Sequence, residues 1–262
     1  MQVKLLTKTE NILDTMYVAA RTCYSSESPI DIWDKKDLKI QEYENSESYN
    51  QDTCEKVKNI YEKEQAKKFK LIKRVLDSGH LSIAENISFT FAIEGVSRAL
   101  LAQITRHRVG VVFQVQSQRY VEFKDGKFDF VMPNSIITNQ ECRDYFYDVM
   151  DRLSEAYKFF IEHGIKLEDA RYVLPNACTT NITMSCNLRE LMHICNLRMC
   201  SRSQNEIREM VTLMANEVIK VEPNLKEYLV PNCERLGFCP EHNGCGRTEG
   251  RKWLRLRKSF CR

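Results

Sequence analysis

A chain of 262 residues with 43% hydrophobic and 29% charged side chains is long enough to bury a core, as one large domain or two small ones. A net charge of +3 is too mild to argue for a nucleic-acid partner, and no apolar run approaches the ~20 residues a membrane span needs. Eleven cysteines, an odd number, with no export signal over Met1–Leu6, predict reduced thiols in a cytoplasmic protein.

The predicted elements begin with a short strand at Val3–Leu6. Thr9 is the expected cap of a helix reaching about Ala20, with Ile12, Met16 and Ala19 or Ala20 on its buried side. Residues 26–56 are rich in Ser, Asp, Glu, Lys and Asn and read as a surface excursion without chemistry. Helical spacing returns from Cys54 to Leu76. Val57, Ile60, Tyr61, Phe69, Ile72 and Leu76 form the expected stripe, the lysines face water, and Gly79 stops the helix. His80–Asn86 places His80, Ser82 and Glu85 close together. They either line a cofactor pocket or, from Ser82 to Glu85, make a capping box. Ile87–Val96 predicts a strand running into a helix capped by Ser97.

Gln103 to Tyr120 is the most informative stretch. Gln103, Arg106 and His107 fall three and four apart and are expected to share a face near the end of that helix, with Arg108 next to them. An uncharged loop, Val109–Gln118, follows and ends in Ser117, Arg119 and Tyr120. Guanidinium forks, an imidazole and a hydroxyl around one loop suit a phosphate or another planar anion. The competing reading is a solvated helix end whose cations offset the helix dipole.

Beyond Tyr120, Val121–Phe123 and Phe128–Met132 predict two strands around an Asp125-Gly126 turn. Gln140–His163 predicts a long helix ended by Gly164, with Tyr145, Val149, Leu153, Tyr157 and Phe160 spaced for burial. Leu167–Val173 is a short helix carrying Arg171 and broken by Pro175, and Thr179–Cys186 is a strand. In Asn187–Arg198 the stripe is Leu188, Leu191, Met192 and Cys195. Arg189 and His193 lie off it, facing a ligand or solvent. Gln204–Ile219 is a further helix, buried through Ile207, Val211, Met214 and Val218, and Pro223 begins the last ordered turn.

Cys233, Cys239, His242 and Cys245 offer three thiolates and an imidazole, a tetrahedral zinc set by residue type. They lack the tight paired spacing of common zinc sites, so structural thiols are preferred. Arg247–Arg262 is basic, with Trp253 and Phe260 interleaved. A solvated tail or a subunit contact is preferred there over nucleic acid. No dinucleotide fingerprint, P-loop or internal repeat occurs.

Arg106-His107-Arg108 followed by Ser117-x-Arg119-Tyr120 resembles the signature of the flavin-dependent thymidylate synthases. The resemblance extends to Gly79-His80-x-Ser82-x-x-Glu85, Phe89-Thr90-Phe91, Arg171-x-x-Leu174-Pro175, Asn187-x-Arg189-x-Leu191, Leu197-Arg198 and Gln204-x-Glu206-Ile207, in the family's order. It covers roughly residues 1–230 and leaves 231–262 as a cysteine-containing basic tail. It implies an α/β (α+β) fold, a twisted and mainly antiparallel sheet against long helices, in a homotetramer whose sites form where subunits meet. It also implies reductive methylation of dUMP to dTMP, with methylenetetrahydrofolate as carbon donor and NADPH as reductant through FAD.

Carried over residue by residue, Gln103, Arg106, Gln116, Ser117, Gln118, Arg119 and Arg171 would hold dUMP. His80, Ser82, Arg106, His107, Arg108, Asn187, Arg189 and His193 would lie against FAD. Arg198 would sit beside the uracil and favour its ionisation at N3. Ser117 would hydrogen-bond near the uracil rather than attack it, since no base is adjacent in sequence. Val112 and Gln114 depart from the family's serine and polar residue, and Val115 stands where Glu or Gln is usual. His193 stands where asparagine is frequent, and Arg202 where histidine is. The alternatives these departures motivate are a paralogue that binds nucleotide or flavin without turnover, and a pyrimidine nucleotide hydroxymethylase.

Overall fold

A computed structural model describes residues 1–35 and 51–248. The elements are, in chain order, β1 (Gln2–Lys8), α1 (Ile12–Thr22), α2 (Pro29–Asp34), α3 (Gln51–Asp77), β2 (Ser88–Ser97), α4 (Arg98–Ile104), β3 (Val111–Val115), α5 (Asn134–Ile137), α6 (Gln140–Glu162), α7 (Leu167–Ala170), β4 (Thr179–Asn187), α8 (Leu188–Arg198), α9 (Asn205–Val221) and α10 (Asn232–Leu236). Part of the predicted excursion, 36–50, and the predicted tail beyond 248 lie outside the described residues. The expected mixture of strands and long helices is observed. Residues 1–7, 90–186 and 190 onward form one compact unit, and 8–89 with 187–189 form another.

The first unit is built on a four-stranded sheet in the order β1-β2-β4-β3. β2 and β4 alternate buried and open positions, as strands with one covered face must. Phe91 and Ile93 of β2 and Ile182, Met184 and Cys186 of β4 point inward. The Thr90 and Ser185 hydroxyls meet at 2.9 Å. β3 corrects the expectation of a loop over Val109–Gln118. Val111 lies opposite Cys186 and Val115 opposite Ile182, antiparallel. Val111, Phe113 and Val115 are only half-buried, and Val112 on the open face is apolar too, so the alternation is blurred. Leu191, Met192 and Cys195 of α8, and Ile207, Val211, Met214 and Val218 of α9, are buried as expected.

Ser97 caps α4 as predicted, its Oγ accepting from the Leu100 N–H at 3.0 Å. The buried Glu206 carboxylate of α9 accepts from both the Ser97 N–H and Oγ–H at 2.6 Å. This ties the start of α4 to the core. The hairpin expected at Asp125-Gly126 does not form. Both residues take the positive φ that such a turn needs, 56° and 73°, but the flanking segments do not pair. Phe130 instead bridges Cys178, and Phe123 packs edge-on against Phe128 and Tyr157. Gly126 is required twice over, because a Cβ there would lie 2.7 Å from both Ser154 O and Lys158 Cβ of α6.

α6 buries Met150 and Tyr157, but Tyr145 is 71% exposed, contrary to the expected stripe. The cluster beneath the helix, centred on Phe128, Met150 and Cys178, is too narrow to reach it. Order also continues past Pro223. Leu229, Cys233 and Cys239 are buried, and Cys233 lies in α10.

In the second unit α1 packs on α3. Ile12, Met16 and Ala20 are buried as expected. Thr9 is not the cap of α1, because its Oγ accepts from the Ser88 N–H at 2.9 Å. Ile72 and Leu76 of α3 are buried, whereas Tyr61 is exposed. Lys68 departs from the expectation that the lysines face water. It is buried and paired with Asp14 of α1. Gly79 ends α3 with φ +85°, its N–H bonding to Leu76 O and that of His80 to Val75 O, a Schellman arrangement. Leu81–Asn86 is a 3-10 turn with no side-chain cap, so the capping box is absent.

Candidate functional site

The residues singled out in the sequence gather, within the first unit, into two sets at opposite ends of α4. Seven helical residues separate them by ~9 Å along the axis. At the C-terminal end, the His107 N–H bonds to Ile104 O. This turn takes Arg106 and His107 off the helix, so the shared helical face predicted for them is not formed. His107 is 6% exposed. Its Nδ1 lies 2.7 Å from Glu190 Oε1 of α8, and Arg198 Nε, at the end of the same helix, donates to its Nε2 at 3.1 Å. Arg198 Nη2 also donates to the Gln103 carbonyl at 3.2 Å, which holds the guanidinium at two points.

A guanidinium can only donate, so His107 Nε2 presents a lone pair and the ring proton sits on Nδ1. Burial, with the charges of Arg198 and His193 acting the same way, pushes the His107 pKa down to about 4. The contact with Glu190 is therefore a hydrogen bond from a neutral imidazole, not an ion pair. Burial raises the Glu190 carboxyl above its ordinary range, with His193 opposing. Burial and then Arg106 lower Arg198, which places Arg106 within electrostatic reach of it. The His193 ring stands edge-on to His107 at 5.6 Å.

This geometry has a pH signature. In the unfolded chain a histidine takes up its proton near pH 6.5, and the folded chain refuses it until about pH 4. The resulting stability, ~3 kcal/mol, is complete above pH 6.5 and is lost as pH falls towards 4. Urea unfolding should show a steeper loss of stability between pH 6.5 and 4.5 in the wild type than in His107→Gln.

The second set surrounds the N-terminal end of α4. Arg119 Nε lies 2.7 Å from Glu168 Oε2, and Arg171 Nε donates to Glu168 O at 3.0 Å. Ser117 Oγ accepts from the Arg119 N–H at 3.1 Å. Asn181 Nδ2 donates to Gln116 Oε1 at 3.0 Å, and Gln118 Nε2 reaches Cys178 Sγ at 3.5 Å. Sequence reasoning missed Arg98. It donates from Nη2 to Gln116 O at 2.7 Å, while its Nε is buried without a hydrogen-bond partner. Burial lowers its pKa, Cys178 opposes this, and Arg171 adds to it. An orphaned cationic donor within electrostatic reach of Arg171 fits an anionic oxygen.

His80, Ser82, Asn187 and Arg189 belong to the second unit. His80 and Ser82 are exposed, and Arg189 pairs with Glu85. Arg108 is exposed in the turn before β3. Val112, opposite Ser185, is 59% exposed, and its backbone still takes part in the ladder.

Among the described residues, one group of three metal-ligating side chains has its ligand atoms within 4.8 Å of one another: His107, Glu190 and His193. Both His107 nitrogens are already engaged, one of them by a cation. Cys233, Cys239, His242 and Cys245 are not gathered in this way. Cys233, Cys239 and Cys245 line an open cavity of about 250 Å³ together with Gln103 and Arg198. No helix among the described residues is long and apolar enough to cross a membrane.

Residues 4–224 match the family described as thymidylate synthase complementing protein. The flavin-dependent thymidylate synthase of Nitratidesulfovibrio vulgaris is 37% identical over 256 residues, covering 94% of each chain. That of Clostridium tetani is 35% identical over 272 residues, covering 97% of each. The fold is similar to a crystal structure of thymidylate synthase X from Helicobacter pylori with FAD and dUMP, with a TM-score of 0.61 at 21% identity over 90% of this chain and 100% of that one. It is also similar to the UMP/dUMP methylase PolB from Streptomyces cacaoi bound with 5-Br dUMP, with a TM-score of 0.63 at 20% identity over 87% and 93%.

Proposed function

The chain belongs to the flavin-dependent thymidylate synthase family, and from that premise we propose how its own residues carry out the reductive methylation of dUMP to dTMP. The observation that carries the reading is the pair of cationic sets at the two ends of α4. Arg98, Arg119 and Arg171, with Gln116, Ser117 and Gln118, grip the nucleotide, Arg98 Nε having an unmet donor for a phosphate oxygen. Ser117 acts as a hydrogen-bonding group. Arg198, held by His107 and the Gln103 carbonyl, stabilises negative charge on the pyrimidine and so favours the N3 anion.

His80, Ser82, Arg106, His107, Arg108, Asn187, Arg189 and His193 hold FAD. Exposed cations and buried neutral imidazole suit its pyrophosphate and ring. When bound, the flavin relays reducing equivalents from NADPH to the methylene carbon that methylenetetrahydrofolate supplies.

Sites shared between copies in a homotetramer, as in the family resemblance, complete this reading. Tyr145, Tyr147 and Phe159 of α6 leave exposed aromatic area for such contacts. Residues 1–230 form the synthase-like domain and 231–262 a tail, and the protein works in the cytoplasm. The purified protein, loaded with FAD, should be yellow and should form dTMP from dUMP, methylenetetrahydrofolate and NADPH. A product carrying a hydroxymethyl group, identified by mass spectrometry, would reassign the activity, and a protein unable to take up FAD would overturn it.

A further inference from the structure

We propose that Glu190 is a positioning residue for this reaction, holding His107 in the tautomer that aims Arg198. The inference rests on the role given to Arg198 above.

Three observations combine. Glu190 Oε1 is 2.7 Å from His107 Nδ1, Arg198 Nε is 3.1 Å from His107 Nε2, and the Glu190 and His107 side chains are only 12% and 4% exposed. An imidazole has two tautomers and one proton to place. With a carboxylate oxygen at Nδ1, the proton stays there and Nε2 remains an acceptor. Without it, the proton is free to move to Nε2, where an N–H would confront the N–H of Arg198 Nε. The guanidinium would then keep only the Gln103 carbonyl.

The neutral imidazole also serves as a spacer. A carboxylate placed directly on Arg198 would orient the guanidinium but quench its charge, and a charge is what the ionising pyrimidine requires. A neutral acceptor in between orients the group and leaves the charge unspent. The depressed histidine pKa fits that function, because a protonated His107 would repel Arg198. Among the described residues, the other ionisable groups facing the ring are His193, edge-on at 5.6 Å, and Arg198 itself.

The test pairs turnover with a direct reading of the ring proton. In FAD-loaded wild-type protein labelled with 15N-histidine, NMR should show His107 as the Nδ1–H tautomer. An Nε2–H tautomer would overturn the proposal without any variant. In Glu190→Ala, kcat for dTMP formation should fall on the order of 10–100-fold. The KM for dUMP should change less, flavin content should be retained, and a population with the proton on Nε2 should appear, because Arg198 alone is left to hold the tautomer. Unchanged kcat, or a loss of kcat with Nδ1–H still the sole tautomer, would overturn it.

If alanine prevents folding, the nearly isosteric Glu190→Gln replaces it. Its amide can set either its oxygen or its NH2 against Nδ1, so rate and tautomer must move together, and a change in one without the other overturns the relay. A wild-type protein that makes no dTMP would instead sink the parent reading, and the two failures are separate results.

Discussion

Replacing Arg198 by alanine should cut dTMP formation on the order of 10²–10³-fold while the purified protein stays yellow. Arg198 donates to His107 Nε2 and to the Gln103 carbonyl. These bonds leave part of the guanidinium fork for a ligand. Its work falls in the step where charge develops on the pyrimidine, so the loss should appear in kcat more than in the KM for dUMP. Flavin content, read from the visible spectrum, should persist because the cations assigned to FAD are untouched. Arg198→Lys should recover little, since a point charge on a flexible stem cannot make both bonds in one plane. Unaltered turnover in the alanine variant would remove the role assigned here.

The parts of this picture that were legible in the sequence are those with strong periodicity or a stereotyped end. α3, α6, α8 and α9 were expected within a few residues, and Ser97, Gly79 and Gly164 mark boundaries where predicted. Arg106, His107 and Arg198 share one motif vocabulary, and the structure does bring them together. What escaped notice was acidic or cationic residues whose partners are remote in the chain. Glu190 reads as a solvated carboxylate on a helix, and only the fold sets it against His107, 83 residues earlier. Arg98 reads as the first exposed residue of a short helix, yet its Nε is enclosed. Lys68 sits among lysines that do face water. β3 was missed because an edge strand with half-buried residues has no alternation sharp enough to separate it from a loop.

The largest effect on stability should come from Lys68→Ala. The side chains of Lys68 and Asp14 are 10% and 11% exposed, and they join α3 to α1 in the second unit. Removing one partner leaves the other charge enclosed without its counterion, a loss of ~3–5 kcal/mol. For a protein of this size that corresponds to a fall in Tm on the order of 10 °C. The matched double variant Lys68→Met with Asp14→Leu should recover most of it, because two apolar side chains of similar volume carry no desolvation penalty. Thermal denaturation followed by circular dichroism checks both. A single variant as stable as the wild type would show that water reaches the pair.

The strand order β1-β2-β4-β3 constrains how the protein is made. β4 lies between β2 and β3, although it is translated after both. A nascent chain released from the ribosome only as far as β3 presents two strands whose common neighbour does not yet exist. Synthesis must continue through Asn187 before the gap can close, and through Arg198 before His107 meets its partners. Until then the exposed edges invite association with other copies. A stalled or truncated product ending inside α6 is therefore expected to be a substrate for chaperones and proteases rather than a partly working enzyme.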